Sequence, residues 1–182
     1  MLHNLAWTLF IARDFAGAAD YIERALAINP RAVNIAVLAA HIDFISERWA
    51  DATSRYRYAA ASEPDRTRAA YQQLRYWLAQ SRAGVARPEF VARRHVETWP
   101  RPLMLYLEDQ YSEAELAEAV REGDDDYAPS GRDERLCEAL FYVGEAHLAR
   151  GNADLARRYF AAAVNIKMTG NHEHGLALAE IA

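Results

Sequence analysis

The sequence predicts an all-α chain, a solenoid of antiparallel helix pairs. Three observations carry that expectation. Small, aromatic and proline positions recur with a 34-residue period. Polar or helix-breaking residues fall where successive helices have to separate. Strict polar–apolar alternation and Asn-Gly turns, the marks of strands and hairpins, do not occur, so β structure is expected to be negligible.

Pro30 and Pro64 lie 34 residues apart. The same shift carries Ala6 onto Ala40, Phe10 onto Phe44, Phe15 onto Trp49, Ala18 onto Ala52, Ile22 onto Tyr56 and Ala25 onto Ala59. A third copy lies 138 residues beyond the first, where Ala6 becomes Gly144, Ala18 becomes Ala156, Ile22 becomes Phe160 and Ala25 becomes Ala163. Small residues let two helix backbones approach closely, and the bulkier partner fills the hole beside them. This period and pattern is the signature of the tetratricopeptide repeat (TPR). The resemblance implies a right-handed superhelical stack of helix pairs with a C-terminal capping helix.

Helices are predicted over 2–12, 15–28, 31–46, 49–61, 65–82, 88–97, 100–108, 112–122, 132–149, 152–166 and 172–181. Arg13-Asp14, Glu47-Arg48 and Gly151-Asn152 supply the turns inside pairs. Pro30 and Pro64 stop the second helices, because proline disfavours helical geometry in the residue before it. Pro88 reads as a helix-start residue and Asn171 as the N-cap of the last helix. The stretch GDDDYAPSG (123–131) reads as an exposed loop, its aspartates as a solvated turn. The whole chain groups as one solenoid. Repeats span about 1–32 and 33–66, a degenerate pair 67–98, irregular helices 99–130, a repeat 132–168 and a capping helix 170–181.

Composition excludes several function classes. With 182 residues, 52% hydrophobic and 26% charged, the chain suits one globular unit with a sizeable core. A net charge of −5 argues against nucleic acid, which asks for a basic stripe. No apolar run is long enough to cross a bilayer. The N-terminus lacks a basic leader region, and Arg13 and Asp14 break its apolar stretch, so no signal peptide is expected. Cys137 stands alone, which excludes an internal disulfide and a cysteine-rich zinc site.

Four segments carry a narrower resemblance: YWLAQSRAG (76–84), WPRPLMLYLEDQYSEAEL (99–116), CEALFYVGEAHLARGNADLARRYFAAAV (137–164) and EHGLALAEI (173–181). Through Trp99-Pro100, Tyr106-Leu107, Ser112-Glu113, Phe141-Tyr142, Gly144 and Glu173-His174, the chain resembles bacterial TPR lipoproteins of the new-lipoprotein-I type and related soluble bacterial TPR proteins. The resemblance implies a periplasmic adaptor, usually a homodimer, that brings cell-wall hydrolases to a partner protease. The chain departs from that family in lacking a signal peptide and a lipid-bearing cysteine near its start. It therefore stands either for a shortened periplasmic or membrane-anchored form or for a soluble, cytoplasmic branch.

In such a stack the first helices line a concave groove. The repeat places His3, Trp7 and Phe10 there from the first copy and Asn34, Val37, His41 and Phe44 from the second. Tyr71 and Arg75, or in a shifted register Gln73 and Trp77, come from the degenerate pair, and Glu138, Phe141 and Glu145 from the last repeat. An aromatic groove with scattered polar groups suits an extended or helical peptide. The competing reading of each aromatic is ordinary core. The lysine-based clamp that some TPR proteins close on acidic chaperone tails is excluded, since the positions hold His3, Trp7 and Leu38.

No catalytic constellation is expected, and no metal or cofactor. His172 and His174 are two residues apart on a helix and point in different directions. His3, His41, His95 and His147 are scattered, Glu113, Glu115, Glu118 and Glu122 form a solvated helix face, and Cys137 reads as core. The expectation is a protein- or peptide-binding adaptor. The alternative is a structural or oligomerisation module, a fragment of a larger TPR protein. Leu2, Leu5, Leu9 and Ile11, with no preceding helix to cover them, predict a homodimer.

Overall fold

The computed structural model describes residues 1–91, 96–122, 131–168 and 172–181. The loop at 123–130, His95 and the Asn171 cap lie outside them, as do the side chains of His172 and His174. Among the described residues there are ten α-helices and no strand. They are α1 (Leu2–Ile11), α2 (Phe15–Ile28), α3 (Val33–Ile45), α4 (Trp49–Ser62), α5 (Arg66–Arg82), α6 (Arg101–Leu107), α7 (Glu113–Glu122), α8 (Arg132–Ala149), α9 (Ala153–Asn165) and α10 (His172–Ile181). Two compact units divide them, Met1–His95 and Val96–Ala182.

In the first unit, helices adjacent in the chain pack together: α1 on α2, α2 on α3, α3 on α4 and α4 on α5. Its core gathers Ala6, Ala18, Ile22, Ala25, Leu38, Ala39 and Ile42, with Leu2, Leu9 and Phe10 packed against them. A fully buried side chain the size of Ile22 stabilises such a unit by about 1.5–3 kcal/mol. Asp14 and Asp65 start α2 and α5 by accepting the amides of Gly17 (2.9 Å) and Arg68 (2.8 Å), satisfying donors that the first helical turn leaves unpaired.

In the second unit, α8 packs against α6, α7, α9 and α10. Ser112 and Glu115 begin α7 with a reciprocal cap. The Ser112 amide donates to the Glu115 carboxylate at 2.7 Å, and the Glu115 amide to Ser112 Oγ at 3.3 Å. At Gly144, α8 comes close against α9. A methyl group there would lie 2.6 Å from Phe160 Cε1 and 2.8 Å from Cδ1, inside van der Waals contact.

One turn geometry recurs in both units. Arg13, Glu47, Gly84, Asp109 and Gly151 all take a left-handed conformation, with φ between 58° and 80°. In each case the next residue's amide reaches back to a carbonyl five residues earlier: Asp14 to Leu9, Arg48 to Asp43, Val85 to Gln80, Gln110 to Leu105 and Asn152 to His147. This ties off the free carbonyls of the helix end. The turns expected at 13–14, 47–48 and 151–152 are present. The α6/α7 turn has the same form although the repeat alignment did not reach it.

The helix expected over 88–97 is corrected at its described residues, since 88–91, 96 and 97 are not helical, and 92–95 lie outside the described residues. Two side chains of α5 take the backbone partners that a helix would have supplied. Gln80 donates to the Glu89 carbonyl (2.8 Å) and accepts from the Glu89 amide (3.4 Å), while Gln73 accepts from the Val91 amide (2.8 Å).

Candidate functional site

With Ala6 turned fully inward, the remaining face of α1 presents Trp7 and Phe10. Trp7 keeps 45% of its surface exposed and stacks on Phe10, centroids 5.8 Å apart at 18°. Phe10 also meets Phe15 edge-on at 5.7 Å and the His41 ring of α3 at 6.2 Å. His41 continues inward to Tyr56 of α4, with rings 5.5 Å apart and a hydrogen bond between Nδ1 and the phenol. The four rings form a stripe from solvent to core, crossing three helices. Such stacked and tilted pairs add roughly 0.5–1.5 kcal/mol each beyond their buried area.

The other expected groove residues divide by burial. His3 and Val37 are half-buried and Asn34 is exposed. Phe44 is buried and packs edge-on against Trp49 at 4.9 Å, so it holds α3 to α4. On α5, Tyr71 and Arg75 are half-buried, with the guanidinium 5.9 Å from the Tyr71 ring, whereas Gln73 and Trp77 are buried. The outward-facing register is thus Tyr71 and Arg75. Phe141, Glu138 and Glu145 belong to the second unit and are buried. Phe141 has no exposed surface and lies against Tyr142 and Phe160, while Glu138 accepts the Trp99 indole N–H at 2.6 Å. Of the groove residues expected in the first unit, solvent therefore reaches Trp7, Phe10, His3, Asn34, Val37, Tyr71 and Arg75.

Beneath the stripe a charged network holds α2, α3 and α4 in register. Asp43 is buried. It receives both Nε (2.9 Å) and Nη2 (2.6 Å) of Arg48 and lies 3.3 Å from Arg55, which also grips Glu23 at 2.7 Å. Burial pushes the Asp43 carboxyl above its ordinary value, and the two guanidiniums pull against that shift.

The second unit contains a constellation that sequence reasoning missed. Glu113, read as part of a solvated face, accepts from Tyr159 and pairs with His147 Nε2 at 2.8 Å. The His147 and Tyr159 rings stack at 5.4 Å and 9°. Arg150 bonds Asp109 at 2.6 Å and lies over the Tyr106 ring at 5.9 Å. Burial raises the Glu113 carboxyl, but the hydrogen bonds from Tyr159 and His147 outweigh it, so the carboxyl sits below its ordinary value. Burial and the Glu113 charge push the Tyr159 phenol up to about 12. No spacing rule brings 113, 147 and 159 together, and only the packing of α7 and α9 on α8 does so. Near neutral pH these groups rest as carboxylate and phenol, already bonded to one another, which makes the cluster a tie between three helices.

Cys137 is fully buried, as expected of a core residue, with Sγ 3.7 Å from the Ala163 carbonyl. Burial, followed by the charges of Glu173, Glu138 and Glu134, pushes its thiol up to about 12. A thiol so placed holds its proton at neutral pH and is no nucleophile. No described helix is long and apolar enough to cross a membrane. No protein-family model matches the chain, and no curated protein matches it.

Proposed function

We propose that the chain is a TPR-type adaptor that binds a peptide or protein segment on the face formed by α1, α3 and α5. The observation that carries this reading is the Trp7–Phe10–His41–Tyr56 stripe. Its outer member is a large aromatic left nearly half exposed, although the helix beneath it is well anchored by Ala6. Partly exposed aromatics flanked by polar groups are the usual anchors of protein interfaces. Asn34 is exposed and Tyr71 and Arg75 are half-buried along the same set of helices. The resemblance to new-lipoprotein-I type proteins favours a bacterial cell-wall setting for the partner.

The test is Trp7→Ala, assayed beside wild type for retention of native-host proteins and for thermal stability. A protein held by wild type and lost with an unchanged melt supports the groove. Equal retention of every protein by both chains sinks it.

A second reading, a self-associating module, is favoured by exposed Leu5 and Ile11 on α1. A homodimer through this end would cover them. Light scattering at tens of micromolar decides it: a dimer mass that Ile11→Glu reduces to monomer supports the reading, and a monomer mass for wild type ends it.

A further inference from the structure

Residues 88–91 lie on α5 as a bound peptide would. Gln80 uses both ends of its carboxamide on Glu89, donating to the carbonyl and accepting from the amide, as a neighbouring strand would. Seven residues earlier on the same helix, Gln73 accepts from the Val91 amide. The two glutamines are buried beneath the segment, which runs antiparallel to α5. Exposure alternates along it: Pro88 and Phe90 are half-buried, Glu89 and Val91 exposed. That is the period of an extended chain, with main chain read at alternate residues and side chains seated between them.

We propose that α5 carries a peptide-binding site for an extended Pro-x-aromatic segment, and that residues 88–91 are its tethered occupant, which a partner segment of the same chemistry displaces. Recognition falls on two features. Proline and an aromatic fill the half-buried positions, and free amides are required at the two positions between and after them. The Glu89 carbonyl is read as well, while the outward side chains Glu89 and Val91 face solvent. The site is separate from the Trp7 stripe and stands or falls without it.

The experiment releases the tether and offers the peptide back. In a full chain carrying Phe90→Ser and Val91→Pro, the segment loses its half-buried ring and its amide to Gln73. The probe is a fluorescein-labelled peptide of residues 86–91, Ala-Arg-Pro-Glu-Phe-Val, followed by anisotropy. The released chain should bind it at least tenfold more tightly than wild type. A peptide N-methylated at the valine should lose at least tenfold, and so should the released chain with Gln73→Ala and Gln80→Ala. Trp7→Ala in the released chain should change nothing, which separates this site from the aromatic groove. If circular dichroism shows that the double release has cost the helices, Phe90→Ala serves as the host with the main-chain bonds intact. Equal affinity for the folded released and wild-type chains, or indifference to N-methylation, overturns the proposal.

Discussion

In the α1/α2 pair the small residue of the first helix is Ala6 and the filler on the second is Ile22, whereas in α8/α9 the same positions hold Gly144 and Phe160. In α8/α9 the larger ring has taken the space that a methyl on residue 144 would need. The outward faces of the two first helices have gone opposite ways. Within α1 only Ala6 is buried, and Trp7 stands half in solvent, while α8 is buried over most of its length. The cause is the number of neighbours: α1 packs on α2 and the edge of α3, but α8 has α6, α7, α9 and α10 around it. A repeat position therefore fixes the contact within a pair. Whether the remaining face can meet a partner is fixed by what else stacks on it.

The sharpest way to break this comparison is truncation of a filler against truncation of an outward aromatic. Phe160→Ala and Phe44→Ala should each cost about 3–5 kcal/mol, read as a shifted midpoint in urea. Trp7→Ala should cost about 1 kcal/mol or less, because much of the ring is already in water. Comparable losses at all three positions would make Trp7 a core residue.

Next in size is the small position itself. Gly144→Ala pushes a methyl into the buried Phe160 ring and should cost roughly 1–3 kcal/mol. The opposite exchange in another copy, Ala6→Gly, should cost roughly 1–2 kcal/mol through lost helix propensity and the loss of a buried methyl. Thermal melts of the two variants check the contrast, which disappears if Gly144→Ala is neutral.

A smaller effect distinguishes the units by pH. Because the folded Glu113 carboxyl lies below its ordinary value of 4.5, it stabilises the fold above that value. That contribution is lost as pH falls further and the carboxylate takes up a proton. Tyr159 acts at the other extreme. Its phenol is raised from 10.0 to about 12, so its contribution is present below pH 10 and lost as pH climbs towards 12. Glu113→Gln should flatten the acid limb of a melting-temperature profile, while Arg48→Gln in the first unit should leave that part of the acid limb in place. An unchanged acid limb in Glu113→Gln would show that the tie contributes nothing.

The smallest expected change is a gain. Glu47 holds a left-handed turn that Gly151 holds without a side chain, so Glu47→Gly should raise stability by about 0.5–1 kcal/mol. Calorimetry on the single variant is the check.

Helix pairs, their boundaries and three of the turns were legible in the sequence because they rest on local rules: small residues at fixed spacing, and breakers at helix ends. The stripe was legible only in part. Trp7, Phe10 and His41 were placed together by the period, but no local rule distinguishes the buried Phe44 from the half-exposed Phe10 at the equivalent position. That depends on the further helices packed around α3 and absent around α1. The segment after Pro88 was misread because proline starts helices as readily as it starts extended chain, and the outcome turned on two distant glutamines. Glu113, His147 and Tyr159 were invisible for the same reason. Each is unremarkable on its own helix, and three helices had to pack before they met.

The repeated left-handed turn also has a kinetic consequence. Leu9 to Asp14, Asp43 to Arg48, Leu105 to Gln110 and His147 to Asn152 each close a chain reversal with a bond spanning only five residues. Reversals so short cost little closure entropy, and proteins dominated by near-neighbour contacts fold quickly. Each hairpin is thus equipped to form by itself before the pairs dock. Native-state hydrogen exchange should show amides protected in blocks that coincide with hairpins, with α1/α2, open on one side, exchanging before α3/α4.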